Sequence, residues 1–251
     1  MPARSRYNFR GGLTSVELLI AVAILSIMGA AMSAFAIALG TAWEKDDQRS
    51  ALQAAARQLN QRLGDILVSA RFAVPGGTVQ SLPDPDFETS GVDVSIQQGD
   101  ALLIWGDDSI GGGTDVMQAG EITLLRFDAE SGSLYCYRPV AFSLLGAVAR
   151  ETAALPVSFA ELASGIAETF VLNQRIYARE LLMGIDAGGT PMSSTANRTT
   201  RVLVRSVRFA VYSDADGRAR RISYSAELAR GRESQSISGS IAVRRPSARP
   251  S

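Results

Sequence analysis

From position 18 to 43 the chain carries no charged side chain, and large apolar residues recur throughout: Leu18, Ile20, Val22, Leu25, Met28, Phe35, Leu39, Trp43. A helix of about 26 residues rises roughly 39 Å, more than the hydrocarbon core of about 30 Å. Beyond it the pattern changes without stopping. Leu52, Ala55, Ala56, Leu59, Leu63, Ile66, Leu67 and Ala70 fall three and four apart, which is one stripe of an amphipathic helix. Lys45, Arg49, Arg57, Gln61, Arg62 and Asp65 lie mostly off that stripe. Strong helix formers dominate, and Pro75, Gly76 and Gly77 break the pattern. The reading is one helix over 13–73, about 60 residues and roughly 90 Å long, with Gly29 and Gly64 as its weakest points.

The remainder reads mostly as strands. Short strands are expected near 92–96 and 101–105, in a loop-rich stretch punctuated by Pro83, Pro85 and the glycines between 106 and 113. The segments 122–127 and 134–138 read as a β-hairpin around Ala129, Glu130, Ser131 and Gly132. The stretch 156–183 looks more helical, with Ser158, Glu161, Glu168 and a run through Leu181. Residues 184–197 are polar and read as flexible. Strands are expected at 202–212, 221–228 and 236–243, with Asp214, Ala215, Asp216 and Gly217 as a turn and 244–251 as a disordered tail. The fold class is therefore α+β: a long N-terminal helix, with a membrane half and an amphipathic half, packed on a mostly antiparallel β-sheet domain.

Charge orients the apolar segment. Arg4, Arg6 and Arg10 precede it, and Glu44, Asp46 and Asp47 follow it. The positive-inside rule keeps the leader cytoplasmic and exports the C-terminal part. Glu17 is out of place in such a segment. A carboxylate at membrane depth costs about 2.5–3.5 kcal/mol on insertion scales and calls for a partner or a task. A position among the headgroups would soften that cost.

The text around it reads Gly11, Gly12, Leu13, Thr14, Ser15, Val16, Glu17, Leu18, Leu19, Ile20 behind the short basic leader. This resembles the prepilin cleavage and methylation motif of type IV pilins and type II secretion pseudopilins. The resemblance implies that prepilin peptidase cuts between Gly12 and Leu13, removing 1–12, and that the new amino group of Leu13 is N-methylated. The family most often has Phe at the first mature position, where this chain has Leu13. Gly12, without a side chain, lets an extended backbone enter a tight protease cleft. In a filament, Glu17 of one subunit would pair with the Leu13 ammonium of a neighbour, two buried charges that together fix axial register. The implied organisation is a leader 1–12, a transmembrane and filament-core helix 13–43, an amphipathic half 44–74, a periplasmic β-rich domain 75–243 and the tail. The text from Leu52 to Ile66 and the last strands are similar to the J-type minor pseudopilin and to the W-type minor pilin. Glu17 argues against the K-type tip subunit, which lacks that acid.

Two other readings of the N-terminus compete. A secretory signal peptide would be cut near Ala34, Phe35 and Ala36, but its apolar core would be shorter and would not carry Glu17. An uncleaved anchor accounts for the length of the run and not for Gly11, Gly12 or Glu17.

The rest of the composition narrows the chemistry. The chain has 251 residues, 46% apolar and 20% charged, with 25 basic and 25 acidic side chains and so a formal net charge of zero. That balance gives nucleic-acid binding no support. There is no His, which removes the usual general base and the commonest metal ligand, and with it an ordinary triad. Gly111, Gly112 and Gly113 lack the Lys of a phosphate loop. Cys136 is the sole cysteine; it reads as a small buried apolar residue, with a reactive thiol as the alternative. Asp107, Asp108 and Asp115 in the Gly-rich loop are weak calcium candidates, and the Asp214 turn lacks the closing Glu of a calcium loop. Arg201, Arg205, Arg208, Arg218, Arg220 and Arg221 form a basic cluster that reads as a solvated strand face, with a polyanion role as the alternative.

The expected function is structural: a minor pseudopilin subunit of a type II secretion pseudopilus, initiating or capping the filament, with no catalytic residues, no cofactor and no bound metal. Its partners would be other pilin or pseudopilin subunits, prepilin peptidase and the inner membrane, with no nucleic acid. A minor pilin of a type IV pilus, for adhesion, motility or DNA uptake, is the nearest alternative. A membrane-anchored periplasmic enzyme or binding domain is the alternative of another class.

Overall fold

The computed structural model describes residues 14–77, 80–82, 95–106, 117–158, 176–184, 202–214 and 219–243. The chain forms two compact units, 1–47 and 48–251. A single helix, α1 (Ser15–Leu67), belongs to both. It runs unbroken through Gly29 and Gly64.

Every described residue of the first unit is exposed. Leu19, Met32 and Ile27 each show 70% of their surface, and Phe35 and Trp43 show 69%. This part of α1 is long and apolar enough to cross a membrane and fits a single-pass anchor. The hydroxyls within it bond back to their own helix: Ser26 Oγ to the Val22 carbonyl (2.8 Å), Ser33 Oγ to that of Gly29 (2.9 Å), and Thr41 Oγ1 to that of Ala38 (2.9 Å).

In the second unit the apolar stripe of α1 is buried. Leu52, Ala56, Leu59, Leu63, Ile66 and Leu67 are covered, and Ala55 packs beside them. Each large side chain so buried contributes roughly 1.5–3 kcal/mol. The helix stops at Leu67, short of the expected 73. Ser69 Oγ takes the Ile66 carbonyl (2.9 Å), and the Arg71 N–H bonds the Trp105 carbonyl (2.9 Å), turning the chain into a sheet. Phe72, Ala73 and Val74 then bury as β1 (Phe72–Gly76), not as helix. Pro75 is compatible with β1 because β1 is an edge strand, on which only one side's N–H groups have a ladder to serve.

Two five-stranded antiparallel sheets complete the unit. The remaining strands are β2 (Gln80–Leu82), β3 (Ser95–Gly99), β4 (Ala101–Trp105), β5 (Ile122–Asp128), β6 (Ser133–Pro139), β7 (Tyr177–Met183), β8 (Leu203–Ser213), β9 (Ala219–Arg230) and β10 (Glu233–Ala242). The first sheet is ordered β1-β4-β5-β6-β7 and the second β10-β9-β8-β3-β2. The class is α+β. The expected hairpin over 122–138 is β5–β6, its turn closed by Gly132 at φ 62°. Of the expected strand at 92–96, residues 95 and 96 open β3, and 92–94 lie outside the described residues. The helical reading of 156–183 is overturned at its end, where Tyr177–Met183 is β7, paired with β6. There Leu134, Tyr135 and Cys136 offer buried apolar partners that outweigh the helix propensity of Glu180 and Leu181. The start of 156–183 is not helical either, since Pro156 bridges Gln118 in an extended segment; 159–175, together with 185–197 and the tail 244–251, lie outside the described residues.

The main core joins α1 to both sheets through Leu102, Ile104, Leu125 and Cys136 of the first and Val207, Phe209, Ile222 and Leu228 of the second. The other face of the first sheet is also buried. Phe72, Leu103, Trp105 and Leu124 pack there under Met117 and Val157. A second short helix, α2 (Ala147–Ala153), closes a small cluster of Ala119, Leu145, Ala153 and Ile176. This two-sided burial explains why β4 is apolar at every position.

Candidate functional site

Glu17 lies in the first turn of α1. Its Oε2 accepts the Thr14 backbone N–H (2.9 Å) and the Thr14 hydroxyl (3.0 Å), and the Glu17 N–H donates to Thr14 Oγ1 (3.3 Å). This is a reciprocal capping box: Thr14 caps the helix and Glu17, three residues on, reaches back. Orphan N–H groups at the helix start are satisfied, and the carboxylate sits at the positive end of the helix dipole. All these bonds to the carboxylate fall on Oε2, so among the described residues Oε1 accepts none. The carboxylate is thus fixed in place by its own chain with one oxygen left to meet a cation. The Thr14-Ser15-Val16-Glu17 spacing is legible in sequence as a capping box; the reading of Glu17 as a membrane acid alone overlooked it.

Gly12 and Leu13, the expected cleavage and methylation positions, lie outside the described residues. So do Asp107, Asp108 and Asp115. Asp214 is described, and its carboxylate engages Arg220, whose Nη2 lies 2.8 Å away. Among the described residues no three His, Cys, Asp or Glu side chains are placed to hold a metal.

The basic cluster is only partly a cluster. Arg201 and Arg218 are outside the described residues, Arg220 pairs with Asp214, and Arg205 pairs with Glu227 at 3.3 Å. Arg221 stacks over the Tyr212 ring at 3.8 Å, and Arg208 is exposed on the same sheet face. Cys136 is fully buried, and burial pushes its thiol pKa up, which disfavours the reactive thiolate.

A cleft of about 330 Å³ opens beside the end of α1, with Asp65, Ser69, Glu121, Thr123, Arg138 and Phe142 among its walls. Glu121 is 6% exposed and already accepts two N–H groups, from Trp105 Nε1 (3.1 Å) and from the Gln118 backbone (3.3 Å). It serves there as a hydrogen-bond acceptor that lets an indole be buried.

No family model matches the chain, and neither a curated protein nor a solved structure matches it.

Proposed function

We propose that the chain is a minor pseudopilin subunit of a type II secretion pseudopilus, held in the inner membrane by the apolar part of α1 until assembly, with its C-terminal unit in the periplasm. The observation that carries this reading is Glu17: one carboxylate at the start of a helical stretch that is otherwise uncharged through Trp43 and exposed along its length. The capping box holds that carboxylate at the helix start, and Oε1 is left for the Leu13 ammonium of a neighbouring subunit. Hydrocarbon surface as extensive as that of residues 18–43 needs a cover, which lipid supplies before assembly and sister helices supply after it. The unit formed by residues 48–251 buries the amphipathic stripe on antiparallel sheets and has the α+β layout expected of a pilin-like subunit. The role is structural, filament initiation or capping, and not catalytic.

A type IV pilus subunit is the second reading. Arg208 and Arg221, exposed on one face of the second sheet and without an acidic partner among the described residues, favour it, since they would suit a polyanion.

Mass spectrometry of the mature N-terminus tests the proposal: an N-methylated Leu13 is expected, and a chain beginning at Met1 or beyond Glu17 overturns it. Glu17→Ala should still insert and be cleaved after Gly12 yet fail to join filaments. Normal assembly of that variant removes the pairing from the mechanism.

A further inference from the structure

The four sheet edges are unequal. An exposed edge is normally guarded by shortness, by proline or by charge, because unpaired N–H and C=O groups recruit other strands. β2 has 3 residues, β1 contains Pro75, and β7 carries Arg179 and Glu180. β10 has none of these guards. It is 10 residues long, reads Glu-Ser-Gln-Ser-Ile-Ser-Gly-Ser-Ile-Ala, and bears one charge, at its first residue. Among the described residues its only neighbour is β9.

The register tells which backbone groups are open. β9 and β10 are joined at a tight turn in which Gly231 has φ 60°, with Arg230 opposite Glu233. The Val243 N–H donates to the Arg220 carbonyl at 3.0 Å. Odd-numbered residues of β10 therefore bond β9, and alternation turns the N–H and C=O of Ser234, Ser236, Ser238, Ser240 and Ala242 to the open edge. Side chains follow the same alternation. Ile237 and Ile241 are half-buried toward the core, and the four serines are exposed on the opposite face.

Beside this edge runs a groove of about 410 Å³ between α1 and β10, lined by Gln53, Arg57, Asn60, Gln235 and Ile237 among others. Arg57 is exposed, is the one charged residue in the lining, and has no acidic partner among the described residues. We propose that the open edge of β10 receives an extended strand of a partner polypeptide, whose inward-facing side chains include a carboxylate that meets Arg57. Main-chain bonds to the even-numbered residues supply affinity, and the groove reads alternate side chains. A second copy of β10 is a poorer occupant: its one inward acid, Glu233, stands at the end of the strand, and antiparallel pairing centred on β10 sets it against the far end of the edge, away from the groove at Gln235 and Ile237 that holds Arg57. The proposal does not depend on the filament reading.

The test uses the full chain in detergent micelles. The probe is a fluorescein-labelled nine-residue peptide in which threonine and valine alternate and glutamate replaces the central threonine. Saturable binding by fluorescence polarisation is expected. Ser236→Pro should weaken it about tenfold or more while leaving the fold intact, because it deletes an N–H that β9 does not use. Ser238→Lys, which keeps every backbone group, should also weaken it and decides the matter if the proline variant unfolds. Arg57→Glu should lose the peptide and bind instead a version with a central lysine. The proposal is overturned if the wild-type chain does not bind the peptide, or if Ser238→Lys binds it as the wild type does. It is equally overturned if light scattering finds a dimer that Ser236→Pro dissociates, which would make a second copy the occupant.

Discussion

Trp105 donates its indole N–H to Oε2 of Glu121 across 3.1 Å, and both side chains are almost wholly buried. The pair lets the largest side chain of the first sheet sit in the core without an orphaned donor. Glu121→Ala should lower stability by about 1–3 kcal/mol through the unsatisfied indole, and Glu121→Gln, which keeps an acceptor, by less. Denaturant titration followed by tryptophan fluorescence measures both.

Gly64 sits inside α1 with no heavy atom within 4 Å of where a Cβ would be. Gly64→Ala should raise stability by about 0.5–1 kcal/mol, by trimming the freedom of the unfolded chain and favouring helix. A rise in thermal midpoint at constant detergent would show it; a fall would mean that the site needs its glycine for packing.

Asp128 anchors the β5–β6 turn. The Ser131 hydroxyl donates to its Oδ2 (2.6 Å) and the Glu130 N–H to its Oδ1 (3.1 Å). The Ser131 bond is the main reason its pKa falls below the ordinary 3.8. Because the folded value is depressed, the contribution is whole above the ordinary value and is lost as pH falls through the folded one. Asp128→Asn should therefore flatten the acid limb of the stability curve, read by denaturant titrations between pH 6 and about pH 2.5.

Cys136, sealed between β5 and β7, should resist a maleimide in the native protein and be labelled only as the chain opens. Labelling at the rate of a free thiol would mean that the first sheet breathes at its centre.

Much of this architecture is written in local pattern. The three-and-four spacing from Leu52 to Leu67 marks the buried side of α1, and the long strands β8, β9 and β10 follow from alternation bounded by turn residues. Where tertiary burial decides, the pattern misleads. Phe72 and Ala73 look like the last turn of a helix until β4 lies beside them, and Tyr177–Met183 looks helical until β6 does. The candidate site was half legible. Glu17 stands out by charge alone, and its partner Thr14 could have been found beside it from the three-residue capping-box spacing. The groove at Arg57 had no sequence signal, since it needs residues far apart in the chain to lie side by side.

The serines and threonine of the apolar stretch have one more effect. Because Ser26, Ser33 and Thr41 spend their hydroxyls on carbonyls of their own helix, they offer little grip to anything alongside. A neighbour can tell this helix from any other greasy rod chiefly by contour, the notches at Gly29 and Gly40 and the bulk of Phe35 and Trp43, and by the lone acid at one end. Any helix packed alongside would therefore be matched mainly by shape, with one electrostatic landmark at the start of the stretch.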